Sequence, residues 1–193
     1  MELTINAAAF QKNCYTLGPG LRDGLWVQGC SILCRGCGNP AYLPHRPARP
    51  LAVSTLLEHF TARRECIDGL TISGGEPTEQ ALAVAALLEG VQALGLSTVV
   101  FTGRVYEELG AGGDPAIARL LAATDLLIDG PFDRALREPG LQWRGSRNQR
   151  LLYLTPRLAG REPDRDTPAF EIHATPDGMT ITGVGKYLLK LPR

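Results

Sequence analysis

Three cysteines fall within eight residues, in the segment Cys30-Ser31-Ile32-Leu33-Cys34-Arg35-Gly36-Cys37. The spacing is C-x3-C-x2-C, on a polar glycine-bearing loop that follows the strand-like run Leu25-Trp26-Val27-Gln28. Three thiolates on one loop can hold three corners of a metal or cluster site. A four-iron cluster takes four ligands, normally all cysteine, and only Cys14 and Cys66 remain to supply a fourth. With three, one iron stays open to an external ligand, just as a catalytic zinc keeps one open position. Other readings exist. Three cysteines can sit together as small buried apolar groups. A structural zinc site normally has two C-x2-C pairs or a Cys/His set, whereas this loop has one such pair with His45 nearby. A ferredoxin run is usually C-x2-C-x2-C with a fourth cysteine close by. The total of five cysteines is odd, which does not suit a disulfide framework.

The rest of the chain alternates short apolar runs with helical patterns. Ser54 to Arg64 reads as a helix, with Leu56, Leu57 and Phe60 at helical spacing. Leu70-Thr71-Ile72 is a buried-type strand that ends at Gly74-Gly75. Glu79 to Leu94 reads as a helix capped by Thr78 and ended by Gly95. Thr98 to Thr102 is a strand, and Val105 to Leu109 a short helix. Asp114-Pro115 opens another helix, with proline at its first position. Leu126 to Asp129 and Leu151 to Thr155 are further strands. Strand–helix–strand repetition means parallel strands joined by crossover helices. In such folds the working residues lie at the C-terminal strand ends. Residues 156–168 carry three prolines and six charged side chains (Arg157, Arg161, Glu162, Asp164, Arg165 and Asp166), which suggests a solvated loop. Phe170 to Ala174 and Met179 to Thr182, separated by Pro176-Asp177-Gly178, read as a β-hairpin.

Lys+Arg and Asp+Glu are equal at 20 each. The zero net charge argues against bulk binding to nucleic acid or an acidic membrane. The longest apolar run, Ala81 to Leu88, is eight residues, far short of the ~18 that a membrane span needs. The first residues show no basic-then-apolar leader, so a cytoplasmic location is expected. Cys14 and Cys66 read as buried or incidental, and the scattered His45, His59 and His173 as structural.

The cysteine spacing resembles that of the radical S-adenosylmethionine (SAM) superfamily. The resemblance implies a [4Fe-4S] cluster held by Cys30, Cys34 and Cys37, whose open iron binds SAM and whose electron cleaves it to a 5′-deoxyadenosyl radical. Ser73-Gly74-Gly75-Glu76-Pro77 resembles the superfamily's GGE motif, which meets the methionine amino group. Phe101-Thr102-Gly103 resembles a Tyr-Thr-Gly of activating enzymes. Gly18-Pro19-Gly20-Leu21-Arg22 and Trp26-Val27-Gln28-Gly29-Cys30 resemble segments of glycyl-radical activating enzymes. Gly36 before the third cysteine, and Trp143-Arg144-Gly145-Ser146-Arg147-Asn148-Gln149-Arg150, resemble the activators of anaerobic ribonucleotide reductase. The similarity spans roughly residues 15 to 155.

The expected fold is α/β, a partial (β/α)6-type barrel of about six parallel strands with a C-terminal β-hairpin extension. A full eight-unit barrel takes ~250 residues, more than the 193 present. Residues 1–155 form the barrel domain in this reading, and 156–193 the charged loop plus hairpin. The resemblance implies an oxidoreductase that removes a glycine hydrogen from a glycyl-radical enzyme partner. It also implies a flavodoxin- or ferredoxin-type electron donor. Gly74, Gly75, Glu76, Thr102, Asp129, Ser146 and Arg150 are the expected SAM contacts. Arg150 would pair with the methionine carboxylate, and Asp129 would either accept from the SAM ammonium or cap its own turn. Two other functions fit the same residues: a radical SAM enzyme acting on a small molecule or peptide, and a non-enzymatic Fe–S or zinc protein that binds a partner.

Overall fold

The computed structural model describes residues 2–138, 140–163, 166–175 and 178–183. One seven-stranded mixed sheet organises the chain, with a separate two-stranded sheet at its C-terminal end. The chain enters as β1 (Thr4–Cys14) and turns back as β2 (Arg22–Val27), antiparallel to it. The cysteine loop follows, then β3 (Arg49–Ala52) on the far side of β1, then helix α1 (Val53–Arg63). Next come β4 (Gly69–Gly74), α2 (Ala81–Ala93) and β5 (Ser97–Phe101). Helices α3 (Tyr106–Ala111) and α4 (Pro115–Ala122) lead to β6 (Leu126–Asp129), and a long loop leads to β7 (Arg150–Tyr153). The sheet order is β3-β1-β2-β4-β5-β6-β7.

The parallel run is shorter than expected. β2, β4, β5 and β6 pair in parallel, four strands rather than about six. β7 pairs with β6 antiparallel, Leu127 opposite Leu152. The described residues of 130–149 contain only loop and one 3-10 turn, so among them no crossover helix returns the chain to the starting edge. The strands β1 and β3 were not anticipated at all. Ala7-Ala8-Ala9 favours helix locally, but pairing with β2 overrides that preference, with irregular register between Ala7 and Ala9.

Side chains on the sheet alternate between two faces, as the pleat requires. Ile5, Leu25, Val27, Leu70, Ile72, Val100 and Leu127 pack with Leu56 and Phe60 of α1, Val84, Leu87, Leu88 and Val91 of α2, and Leu120 of α4. This is the helix-covered core. The opposite side chains, Trp26, Val99, Leu126 and Ile128, pack under loops instead, with Leu17, Trp143 and Leu158.

Helix α2 begins later than its sequence pattern suggests. Pro77–Gln80 form a 3-10 turn, and Glu76 rather than Thr78 caps it by accepting from the Thr78 amide at 3.0 Å. Pro77 lacks an amide hydrogen, so the acceptor belongs one residue before it. Gly95 ends the helix as expected, at φ +84°. Asp114 caps α4 through the Ala116 amide.

The C-terminal hairpin is present: β8 (Phe170–Thr175) pairs antiparallel with β9 (Gly178–Gly183). Pro176 and Asp177 of its expected turn, and Asp164 and Arg165 of the charged loop, lie outside the described residues. No helix among the described residues is long and apolar enough to cross a membrane.

Candidate active site

Four parallel strands deliver their C-terminal ends to one edge of the sheet. The residues there line a cavity of about 250 Å³, which includes Cys30, Cys34, Cys37, Gly74, Gly75, Glu76 and Thr102. Its apolar wall is largely aromatic, with Trp26, Tyr42, Phe101, Phe132 and Trp143.

The cysteine loop is fixed from several directions. Gly29, at φ +103°, donates to the Tyr42 carbonyl, and the Cys30 amide donates to the Leu43 carbonyl. Glu79 accepts from the Ser31 amide at 2.8 Å and contacts His45 Nε2 at 2.7 Å. Burial alone would raise the Glu79 carboxyl, but hydrogen bonds from His45 and Ser31 hold it below the usual range. Gly36 takes φ +79°, a left-handed turn between Cys34 and Cys37 that glycine adopts without a Cβ clash.

Each of the three sulfurs is met by main-chain N–H. Cys30 receives the Leu33 and Ile32 amides, and Cys34 receives that of Phe132. The Asn39 amide donates to Cys37 Sγ at 3.4 Å. Burial raises the Cys30 and Cys34 thiols above their ordinary value, and Cys34 is raised further by the negative charge of Cys37 and Cys30 nearby. The amides oppose that rise. A cationic cluster would offset the mutual repulsion outright, and N–H groups on the ligand sulfurs are one of the levers that tune such clusters. The donor set therefore fits a thiolate-held cluster.

The glycine pair has a steric reason. A Cβ on Gly75 would lie 2.0 Å from the Gly29 carbonyl oxygen, and one on Gly74 would lie 2.3 Å from the Val27 amide nitrogen. The turn after β4 thus presses directly against the start of the cysteine loop. The Gly75 and Glu76 amides complete the join by donating to the Val27 and Gly29 carbonyls. Glu76 is 1% exposed, and its carboxylate is already engaged. It accepts from the Thr78 amide and hydroxyl, the Thr102 hydroxyl at 2.8 Å and the Gly103 amide at 2.9 Å. These bonds hold the ends of β4 and β5 together.

Three expected SAM contacts lie beside the cavity, and for Asp129 the capping alternative is the one seen. Asp129, Ser146 and Arg150 do not line the cavity. Asp129 is fully buried and accepts from the Tyr106 amide at 2.8 Å and from Arg150 Nε at 2.9 Å. It caps α3. Arg150 also reaches Glu107, so its guanidinium is spent on two carboxylates of its own chain. Ser146 is buried, and its hydroxyl accepts from the Asp133 amide at 3.1 Å. Their neighbour Gln149 lines the cavity instead, and its Oε1 accepts from the Gly145 and Ser146 amides.

The family of the 4Fe-4S single cluster domain matches residues 16–152 of the chain. The anaerobic ribonucleoside-triphosphate reductase-activating protein of Vibrio cholerae is 34% identical over 144 residues, covering 68% of this chain and 87% of that protein. The chain belongs to this activating-protein family. The Escherichia coli protein of the same name is 30% identical, over 71% of this chain and 91% of its own. That of phage T4 is 31% identical, over 69% and 85%. A looser likeness exists to the crystal structure of QueE from Escherichia coli, with TM-score 0.39 and 19% identity over 53% of each chain.

A single-cluster family suits five cysteines of which three share one loop. Cys14 is buried under the hairpin side and Cys66 is exposed, and neither lines the cavity. Sequence reasoning on this family member missed the hairpin's part in the site: Thr180, Ile181, Thr182 and Gly183 form one wall of the cavity. Trp143, read from sequence as core or a loop anchor, is 3% exposed in the core, and it also sits at φ +62° and lines the cavity. Its buried indole Nε1 has no hydrogen-bond partner among the described residues. Backbone strain of this kind at a non-glycine residue costs on the order of 1–3 kcal/mol and gathers at functional sites. Only the tryptophan itself was visible as a signal.

Proposed function

We infer that this chain activates a glycyl-radical enzyme of the anaerobic ribonucleotide reductase type, by SAM-dependent removal of a hydrogen atom from a glycine of that partner. The observation that carries the reading is the convergence of three amide-capped cysteine sulfurs and a glycine pair on one aromatic-walled cavity. Cys30, Cys34 and Cys37 would hold the [4Fe-4S] cluster, leaving one iron for SAM. When bound, the cluster supplies the single electron that cleaves SAM.

The chain's own residues prepare the cavity. Gly74 and Gly75 keep its floor free of side chains, so backbone can approach the methionine end of SAM. Glu76 and Thr102 fix the relative height of the two strand ends beneath it. The unpartnered Trp143 N–H is a donor available to a polar atom of the ligand. Aromatic side chains exclude water from the reacting atoms, which a radical reaction requires. No general base is needed, because a hydrogen atom moves rather than a proton.

Residues 1–155 carry this chemistry as a curled, partial-barrel sheet in our reading, and 156–193 add the wall formed by the hairpin. A flavodoxin- or ferredoxin-type donor supplies the electron, and reduced thiols suit a cytoplasmic location. The test is an anaerobic mixture of reconstituted protein, SAM, reductant and the anaerobic reductase of the same host. A glycyl radical signal on the reductase, absent with Cys34→Ala, is expected. SAM cleavage without that signal, together with modification of a small molecule or peptide, would overturn the partner assignment.

A further inference from the structure

The hairpin brings a second set of metal-ligating side chains together, away from the cysteine loop. Cys14 ends β1 and is fully buried; Glu171 and His173 lie two residues apart on β8 and so face the same side of the strand. One ligand atom from each of the three lies within 4.8 Å of the others. Cys14 Sγ is 3.8 Å from His173 Nε2, and His173 Nε2 is 3.8 Å from Glu171 Oε1.

These distances can be compared with a tetrahedral zinc. With Zn–S about 2.3 Å and Zn–N about 2.0–2.1 Å, sulfur and nitrogen ligands stand roughly 3.6 Å apart. The Cys14–His173 separation is close to that as it stands, while the Glu171 carboxylate has to move in toward the other two. Thiolate, imidazole and carboxylate together form a donor set that suits zinc, whereas hard oxygen-seeking cations avoid the sulfur. We propose that Cys14, Glu171 and His173 form a mononuclear Zn²⁺ site that staples the C-terminal hairpin to the end of β1.

Hydrogen bonds fix the carboxylate and imidazole in place, and the Thr182 hydroxyl stands where a cation would enter. Glu171 is held by the Tyr15 amide, the Thr16 amide and hydroxyl, and the Thr182 hydroxyl. These contacts fill Oε1, the oxygen nearest His173, so a cation there would displace the Thr182 hydroxyl. His173 Nε2 also lies 3.1 Å from Thr182 Oγ1. Binding transfers the Cys14 thiol proton to solvent and leaves a fourth tetrahedral position open. Thr182 connects this clasp to the cysteine-lined cavity, which it also lines. The staple therefore fixes one wall of the SAM cavity while standing apart from the cluster. His173, read from sequence as structural, becomes a ligand.

The test uses full-length protein with its cluster reconstituted anaerobically, so that the loop cysteines are occupied. Zinc is added, excess is dialysed away, and metal content and zinc X-ray absorption are measured. The expected result is one zinc per chain beyond the iron, with one sulfur neighbour at about 2.3 Å and nitrogen or oxygen neighbours otherwise. His173→Gln and Cys14→Ser should each reduce retained zinc to background with iron unchanged. The wild-type absorption spectrum decides the matter even if Cys14→Ser misfolds. Zinc absent from wild type, zinc with several sulfur neighbours, or zinc retained in His173→Gln would each overturn the proposal. None of these outcomes bears on SAM cleavage, so the two readings fail separately.

Discussion

The Thr102 hydroxyl donates to the buried Glu76 carboxylate at 2.8 Å, tying the C-terminal end of β5 to the turn that follows β4. The same carboxylate takes the Gly103 amide on its other oxygen. Glu76→Gln replaces one acceptor oxygen with an amide donor, so at least one buried donor faces another donor. We expect a loss of about 2 kcal/mol in denaturant unfolding, and SAM affinity weakened about tenfold by the shifted strand end, the equivalent of ~1.4 kcal/mol. Equilibrium dialysis against SAM checks the second effect.

Gly75 and Gly95 make a matched pair of alanine substitutions. A Cβ at Gly75 would overlap the Gly29 carbonyl at 2.0 Å, whereas at Gly95 nothing lies within 4 Å. Gly75→Ala should push the turn away from the cysteine loop and lower iron incorporation during reconstitution. Gly95→Ala, at φ +84°, should cost only about 1 kcal/mol in stability and leave iron content intact. Iron per chain measured on both proteins checks the contrast.

At the opposite edge of the sheet, Arg22 is fully buried. Its guanidinium donates to Thr71 Oγ1, Ser97 Oγ and the carbonyls of Pro19, Leu70 and Ser97. Burial pushes its pKa down to about 9, yet the full set of acceptors keeps the group charged at neutral pH. Lysine cannot reproduce the planar fork. Arg22→Lys should destabilise by about 3 kcal/mol through the carbonyls left unsatisfied. The cluster's absorption should not change, since these contacts lie at the start of β2, β4 and β5. Thermal unfolding followed at two wavelengths checks both parts.

Arg150 separates a structural role from a ligand role. Its bonds go to Asp129 and Glu107, so Arg150→Ala should lower the unfolding temperature by leaving the buried Asp129 without its cation. SAM affinity should stay unchanged. A large loss of affinity in a folded variant would restore the carboxylate-binding role expected from sequence.

Residues whose function rests on local backbone were legible in the sequence. The cysteine spacing, the Gly74-Gly75 turn and the strand ends at Thr102 and Asp129 all met at one edge. Partner choice by long side chains was not legible. Nothing near Asp129 in the chain shows that Arg150 will answer it, 21 residues on. Glu171 binding Thr16 across 155 residues is a tertiary event of the same kind, and it hid the hairpin's place in the cavity wall. β1 was lost for a different reason: alanines favour helix until a neighbouring strand supplies the pairing.

The central claim is tested most directly by SAM cleavage. Anaerobically reconstituted and reduced protein, given SAM, should release 5′-deoxyadenosine and methionine in equal amounts, and Cys34→Ala should release neither. Protein that holds a full complement of iron yet yields no 5′-deoxyadenosine, or that binds zinc alone at Cys30, Cys34 and Cys37, would contradict the account.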